Sequence, residues 1–146
     1  MRGHKWIGLF ISVMMCVSGE AWACQVTATG MSFGQYDAIG SQPAAGTGFL
    51  RLTCPRPATI RLNAGLNSQG AFTNRFLAGT NPTHRLRYNL FLDPTALRPW
   101  GDGSANTFIQ QVPAGVSSLT IYGLVHGGQR MPPGVYADTI TVTIEW

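Results

Sequence analysis

The feature that most constrains the fold is the alternation that closes the sequence, between residues 136 and 146. Ile140, Val142, Ile144 and Trp146 share one parity, whereas threonines and a glutamate occupy the other. Side chains alternate between the two faces of a β-strand, and Thr, Val and Ile fit a pleated surface because they are β-branched. The pattern therefore predicts a strand with one apolar face and one hydroxylated face.

The apolar parity of this strand continues to Trp146, and we expect no later segment to cover it. A long half-buried strand at an open sheet edge invites pairing with another chain. One interpretation is a subunit that takes a strand from a partner. The other is a final strand in the middle of an ordinary sandwich, covered from within its own chain. The alternation by itself favours the second interpretation.

The N-terminal segment has the composition of an export signal. A basic start is followed by an apolar run at residues 6–17, which is too short for a membrane span of about 20 residues. Ala21 and Ala23 supply the small residues that a signal peptidase accepts. We expect cleavage after Ala23, which gives a signal peptide over residues 1–23 and a single mature domain over residues 24–146.

Two cysteines, Cys24 and Cys54, remain after that cleavage in an oxidising compartment. We expect a disulfide between them, worth about 3–4 kcal/mol in the chain-entropy model. Free thiols are one alternative. A metal pair is a poor one, because no CxxC and no nearby histidine accompany the two cysteines. Lipidation of Cys24 is a minor alternative, since the preceding residues lack the leucine usual in lipoprotein signals.

The rest of the chain predicts an all-β domain. Short alternating segments bounded by Gly, Pro and Asn recur, and no apolar set at helical spacing is free of breaks. Gly123 lies within one such segment and indicates a position where another part of the chain approaches closely. We interpret residues 37–46 as a loop. The other predicted strands cover residues 24–28, 31–36, 48–54, 58–63, 85–92, 107–111 and 117–125.

Composition and motifs disfavour catalysis and nucleic-acid binding. After cleavage the chain keeps eight arginines, no lysine and five acidic residues, and hence a net charge of +3 without a basic cluster. No nucleophile elbow, zinc-protease, P-loop or dinucleotide motif occurs, and we interpret His84 and His126 as solvated loop residues. We therefore expect no enzyme activity, no cofactor, no metal, no nucleic-acid partner and no stable membrane insertion.

Two local features have structural interpretations. Asp102 follows Trp100 in a glycine-rich turn that lacks the ligand density of a calcium loop. We expect Asp102 to bond local backbone amides and Trp100 to pack on the end of the sandwich. We interpret Arg75, Arg85 and Arg87 as a solvated outer sheet face rather than a binding stripe.

Several ordered segments together point to a family. They are Cys24, FGQY at 33–36, LRLTC at 50–54, LRYNLFLD at 86–93, WGDG at 100–103, LTIYG at 119–123 and GVYADTITVTI at 134–144. In their order and spacing, which span nearly all of residues 24–146, they resemble the spore coat protein U domain family, which includes subunits of archaic chaperone–usher pili.

The resemblance implies an immunoglobulin-like β-sandwich that is incomplete, because it lacks its last strand. In such families a periplasmic chaperone lends a strand, and the N-terminal extension of a neighbouring subunit later replaces it. The implied partners are a periplasmic pilus chaperone, an outer-membrane usher and other pilus subunits. The implied route runs through the periplasm to the cell surface. The resemblance thus favours the strand-accepting interpretation of the terminal segment.

The resemblance also implies a strand-acceptor cleft. Its expected lining is Ile140, Val142, Ile144 and Trp146 on the terminal strand, with Leu86, Tyr88 and Leu90 on the opposite wall.

Fibre-forming pilins carry a donor extension ahead of their first cysteine, whereas the expected cleavage here falls directly before Cys24. We therefore expect a non-enzymatic subunit that accepts a strand but cannot give one, either at a pilus tip or as a non-polymerising coat protein. The alternative is a self-contained secreted carbohydrate-binding sandwich that uses Trp100 and Tyr122.

Overall fold

The computed structural model describes the backbone of residues 6–13 and both backbone and side chains of residues 23–146. Every regular element in these ranges is a β-strand, which confirms the predicted all-β class. No helix within them is long and apolar enough to span a bilayer. The strands are β1 (Trp6–Val13), β2 (Gln25–Ala28), β3 (Met31–Gln35), β4 (Ala44–Cys54), β5 (Ala58–Leu62), β6 (Arg75–Ala78), β7 (Arg85–Phe91), β8 (Gln110–Val112), β9 (Gly115–Val125) and β10 (Val135–Glu145).

The strands form the two faces of a sandwich. Strands β2, β4, β9, β7 and β6 follow one another in the first face, and β3, β1, β10, β5 and β8 in the second. The faces join where β6 and β10 meet at one residue pair, Ala78 and Ala137. All neighbouring strands are antiparallel except β1 and β10, which are parallel.

This arrangement is that of an immunoglobulin-like sandwich, in which strands A, B, E and D form one sheet and C, F and G the other. Strands β2, β4, β9 and β7 correspond to A, B, E and D, and β5 and β10 correspond to C and F. The place of the last strand, G, is therefore taken by β1, the first described strand of the chain.

The core lies between the two faces and is filled by alternate residues of each strand, as the two-residue period requires. On β10 the predicted inward parity is confirmed, because Ile140, Val142 and Ile144 are buried. Leu50 and Leu52 of β4 are buried in the same cluster. The burial of Ile144 despite its place near the chain end shows how far the alternation extends.

Close approach at Gly123 is also confirmed. A Cβ atom at Gly123 would overlap Met31 Sδ and lie 2.6 Å from Phe33 Cε1. A Cβ at Gly46 on the adjoining β4 would lie 2.6 Å from the Ser32 carbonyl oxygen. The two glycines thus leave the room in which β3 packs across the first face before it pairs with β1 in the second.

The expected disulfide between Cys24 and Cys54 is present, with their Cα atoms 4.2 Å apart. It ties the start of β2 to the end of β4, and both cysteines are buried. Because the Cys24 sulfur is bonded to Cys54, it cannot also carry the thioether of a lipid anchor, and the lipoprotein alternative is incompatible with this structure.

Some predicted boundaries were wrong. The segment interpreted as a loop over residues 37–46 ends earlier, because β4 already begins at Ala44, where small residues pair with β9. Strand β6 was not predicted, since four residues between turns carry too little pattern. The predicted edge strand over residues 107–111 lies at Gln110–Val112 instead.

Candidate strand-acceptor groove

The two edges of β10 have different partners. On one edge, β5 pairs with Val142–Glu145, and the loop after β5 continues the ladder. There the backbone N–H groups of Asn63 and Leu66 donate to the carbonyl oxygens of Thr141 and Thr139, each at 3.0 Å. This edge is satisfied from within the body of the sandwich.

The opposite edge of β10 is covered by β1. The two strands are paired over eight residues, from Trp6 beside Val135 to Val13 beside Val142. The far side of β1 pairs with β3, from Trp6 beside Gln35 to Leu9 beside Met31. We call the space between β3 and β10, which β1 occupies, the acceptor groove.

Backbone direction shows which groups of β10 face this groove. Successive residues of a strand send their N–H and C=O groups to opposite edges. Thr139 and Thr141 use theirs toward the β5 side. The even-numbered residues Tyr136, Asp138, Ile140 and Val142 therefore direct theirs toward β1, and their side chains are the buried ones. The groove thus combines a polar backbone edge with an inward row of side chains.

The structure brings all seven expected cleft residues to one core, although at different places. Ile140 and Val142 lie beside β1, whereas Ile144 pairs with Ile60 beyond the end of β1. Trp146 is partly buried against the core. The three residues expected on the opposite wall are buried on β7 in the other face: Leu86, Tyr88 and Leu90. That they line a cleft for a foreign strand stays a prediction.

Two residues of the groove were not predicted, Tyr136 and Asp138. Both share the parity of Ile140 and are buried, at 1% and 3% exposure. Parity alone would have located them. The carboxylate was passed over because a charged side chain is rarely buried without partners.

Asp138 is buried with its hydrogen bonds satisfied by three other residues. The Tyr88 hydroxyl donates to Oδ2 at 2.5 Å. Oδ1 accepts from the backbone N–H of Thr139 at 2.8 Å and from the Asn67 side-chain amide at 3.1 Å. Burial raises the pKa of Asp138, and these hydrogen bonds oppose that rise. Burial and the neighbouring Asp138 raise the pKa of Tyr88 well above its usual value.

Arg75 corrects the sequence interpretation, because it is fully buried rather than part of a solvated face. Its Nη2 donates to the carbonyl oxygens of Asn63 and Trp100, both at 2.7 Å, and its Nη1 donates to Asn89 Oδ1 at 2.8 Å. Burial lowers its pKa to about 10. Arg75 therefore ties together loops that are distant in sequence.

Trp100 is also fully buried, and its indole N–H donates to the Ile60 carbonyl oxygen at 3.2 Å. A sugar platform made by Trp100 and Tyr122 is therefore wrong, because no face of the indole reaches the surface. Asp102 behaves as expected, since its Oδ1 accepts from the backbone N–H and hydroxyl of Ser104. In the described part of the chain no three His, Cys, Asp or Glu side chains are placed to hold a metal ion.

These features define a class of protein: an immunoglobulin-like sandwich in which the position of the last strand is filled by the N-terminal strand β1 of the same chain. The model of the Spore Coat Protein U domain matches residues 13–143, and the chain belongs to this family. Protein U of Myxococcus xanthus is 33% identical over 126 residues, which cover 78% of this chain and 70% of that protein.

Two solved structures share the fold. One is the CsuC–CsuE chaperone–tip adhesion subunit pre-assembly complex from archaic chaperone-usher Csu pili of Acinetobacter baumannii. It matches at a TM-score of 0.55 and 21% identity, over 84% of this chain but only 39% of that chain. The other is the SafD adhesin of Salmonella, at a TM-score of 0.53 and 15% identity, over 83% of each chain. At these identities both describe the fold alone.

Proposed function

We propose that this protein is an exported, non-enzymatic structural subunit of a surface pilus or coat, and that a partner's β-strand completes it. The strand enters the acceptor groove between β3 and β10, where it extends the second face as a seventh immunoglobulin strand would. Ile140 and Val142 form the floor of the groove.

The observation that carries the proposal is the origin of β1. The groove edge of β10 is paired by Trp6–Val13, which lies inside the segment expected to be removed with the signal peptide. The expected mature domain begins at Cys24, and the disulfide joins this residue to Cys54 at the end of β4. Cleavage therefore takes away the strand that covers β10 and leaves the rest of the sandwich intact.

The partners follow from this requirement. A periplasmic chaperone would supply the first strand after export, and other subunits would supply the next during assembly at an outer-membrane usher. The similar Csu structure is a complex between a chaperone and a tip subunit, which supports the same step for this chain. The route leads through the periplasm to the cell surface.

The start of the mature domain bears on its position in an assembly. Gln25–Ala28 already pairs with β4 as strand β2, so these residues are not available as a donor segment. A subunit that accepts a strand without giving one would end a fibre at its tip or remain a non-polymerising coat protein. Polymerisation of purified residues 24–146 without an added extension would contradict this part of the proposal.

The test is to export residues 24–146 with and without an archaic pilus chaperone. We expect a soluble one-to-one complex with the chaperone, and aggregation or proteolysis without it, because an unpaired β10 edge recruits other strands. The matched control is the chaperone with its donor strand interrupted by proline, which cannot pair fully. A stable, soluble monomer in the absence of any donor would overturn the proposal.

A further inference from the structure

We propose that the leader segment Trp6–Val13 is the first occupant of the acceptor groove, so that the uncleaved chain completes its own sandwich and cleavage opens the groove. This inference rests on the proposed function and adds its regulation. Nothing in an export signal requires its apolar run to pair as a strand with the domain that follows.

Pairing on both sides is the first support. The backbone of β1 is paired with β10 along its whole length and with β3 along its first half. The register on β3 shifts between Ile7 and Gly8, as a β-bulge produces. A segment whose backbone pairs with a strand on each side is a structural strand rather than a tail.

The amino-acid pattern of the segment is the second support. The register partners of the buried residues of β10 are the aliphatic residues of one parity. They pair as Ile7 with Tyr136, Leu9 with Asp138, Ile11 with Ile140, and Val13 with Val142. The other parity is mixed, since it holds the aromatic residues Trp6 and Phe10 as well as Gly8 and Ser12. A signal peptide needs hydrophobicity but not one uniformly aliphatic parity, so the match of this parity to the buried residues of β10 fits a second role.

The floor of the groove is the third support. Asp138 is its one buried carboxylate among the described residues of β10, and Tyr88, Asn67 and Thr139 satisfy it. A strand that pairs with β10 therefore does not need to supply a hydrogen-bond donor for the Asp138 carboxylate. Leu9 is the register partner of Asp138, and an apolar residue is acceptable at this register because the carboxylate already has its hydrogen-bond partners.

Covalent attachment of the leader determines whether it or an outside donor strand occupies the acceptor groove. While the leader is attached, the segment competes for the groove at an effective concentration of roughly millimolar, as short tethers provide. Cleavage removes that advantage, and an outside donor then needs only to exceed the affinity of a free peptide. The uncleaved folded chain would thus have a closed groove, and the groove would become receptive at the moment the leader is cut.

The experiment uses the full chain with cleavage blocked by Ala23→Tyr, since a bulky residue at that position stops the peptidase. Hydrogen exchange of the backbone amides of residues 135–142 is compared with exchange of the same amides in residues 24–146, which are released from denaturant at low concentration just before the measurement so that the unpaired edge has not yet aggregated. We expect exchange at least a hundredfold slower in the uncleaved chain. Equal exchange in the two proteins, at the fast rate of an open edge, would overturn the inference.

A matched pair of variants tests the register. Ile11→Asp places a charge opposite Ile140, whereas Phe10→Asp makes the same kind of change opposite Thr139 on the other parity. We expect Ile11→Asp to abolish the protection of β10 and Phe10→Asp to keep most of it. Equal effects would mean that hydrophobicity alone holds the segment, and would overturn the proposed pairing.

A peptide assay separates this inference from the proposed function. The probe is a synthetic peptide of residues 6–13, flanked by lysines for solubility and added to residues 24–146. Restored protection of residues 135–142 supports both. Protection by a chaperone donor strand but not by this peptide overturns the leader inference and leaves the proposed function standing. Slow exchange in residues 24–146 without any donor overturns the proposed function itself.

Discussion

The close packing at Gly123 predicts a large cost for the smallest possible substitution. In Gly123→Ala the new methyl group would overlap Met31 Sδ and the ring of Phe33, whose Cε1 and Cζ atoms lie 2.6 and 2.8 Å from the Cβ position. The Met31 side chain can rotate away, but the Phe33 ring sits edge-on against Tyr88 and cannot. Strand β3 must therefore shift, and β3 is one wall of the acceptor groove.

The size of the effect follows from overpacking, which costs about 1–3 kcal/mol. A value of about 2 kcal/mol lowers Tm by roughly 8 °C, given an unfolding entropy of about 2.1 cal/mol/K per residue for a domain of this size. Gly48→Ala is the matched control, because its Cβ would lie an ordinary 3.5 Å from Met31 and Thr29. We expect Gly48→Ala to be neutral or to stabilise by about 0.5 kcal/mol.

The assay is denaturant and thermal unfolding of the uncleaved, oxidised chain. Phe33→Leu is introduced into the parent chain and into Gly123→Ala, because it removes the ring atoms that the new methyl group meets. The loss in free energy of unfolding of the double variant Gly123→Ala/Phe33→Leu should be smaller than the sum of the two single losses by at least about 0.5 kcal/mol. Equal stabilities of Gly123→Ala and Gly48→Ala would refute the packing described for β3.

Three further outcomes can be measured on the same protein. Replacing Cys24 and Cys54 with alanine should cost about 3–4 kcal/mol, because the bridge closes a long loop; dithiothreitol should destabilise the parent equally and leave the variant unchanged. Asp138→Asn should gain stability relative to the parent as pH rises. Burial raises the pKa of Asp138, so the contribution of its carboxyl group is fully present below about pH 3.9 and is lost as pH rises through the folded-state pKa; parallel curves from pH 3 to 8 would contradict this. Gly65→Ala should cost at least about 2 kcal/mol, because it combines φ +95° with a methyl group placed against the Asp138 carboxylate; a loss below 0.5 kcal/mol by urea unfolding would contradict it.

Local patterns in the sequence predicted much of the architecture. The two-residue period gives the faces of β4, β7 and β10 because side-chain direction in a strand depends only on position along it. The close approach at Gly123 could be predicted for a similar reason, since a glycine inside an apolar strand has few other uses. The pairing of Cys24 with Cys54 could be predicted because only two cysteines follow the expected cleavage site and the expected compartment is oxidising.

Arg75 and the alternative role considered for Trp100 show where local reasoning fails. The sequence predicts Arg75 to be a surface residue, because its neighbours in sequence offer no set of hydrogen-bond acceptors for a buried guanidinium. Its partners Asn63, Asn89 and Trp100 come from three distant segments, and only the folded chain places them together. Trp100 was considered for a sugar surface, but the Ile60 carbonyl that receives its N–H is forty residues away.

The sequence by itself determined most of the strands, their inward residues and the bridge, because alternation and cysteine count are properties of the sequence alone. Only the tertiary structure decided which strands meet. It placed Trp6–Val13 beside β10, in the position of the last immunoglobulin strand, although the same residues have the composition of a leader. That placement depends on pairing of Tyr136 and Ile140 with residues that are far away in sequence. Neither the hydrophobic period nor the composition shows which segment will pair with β10.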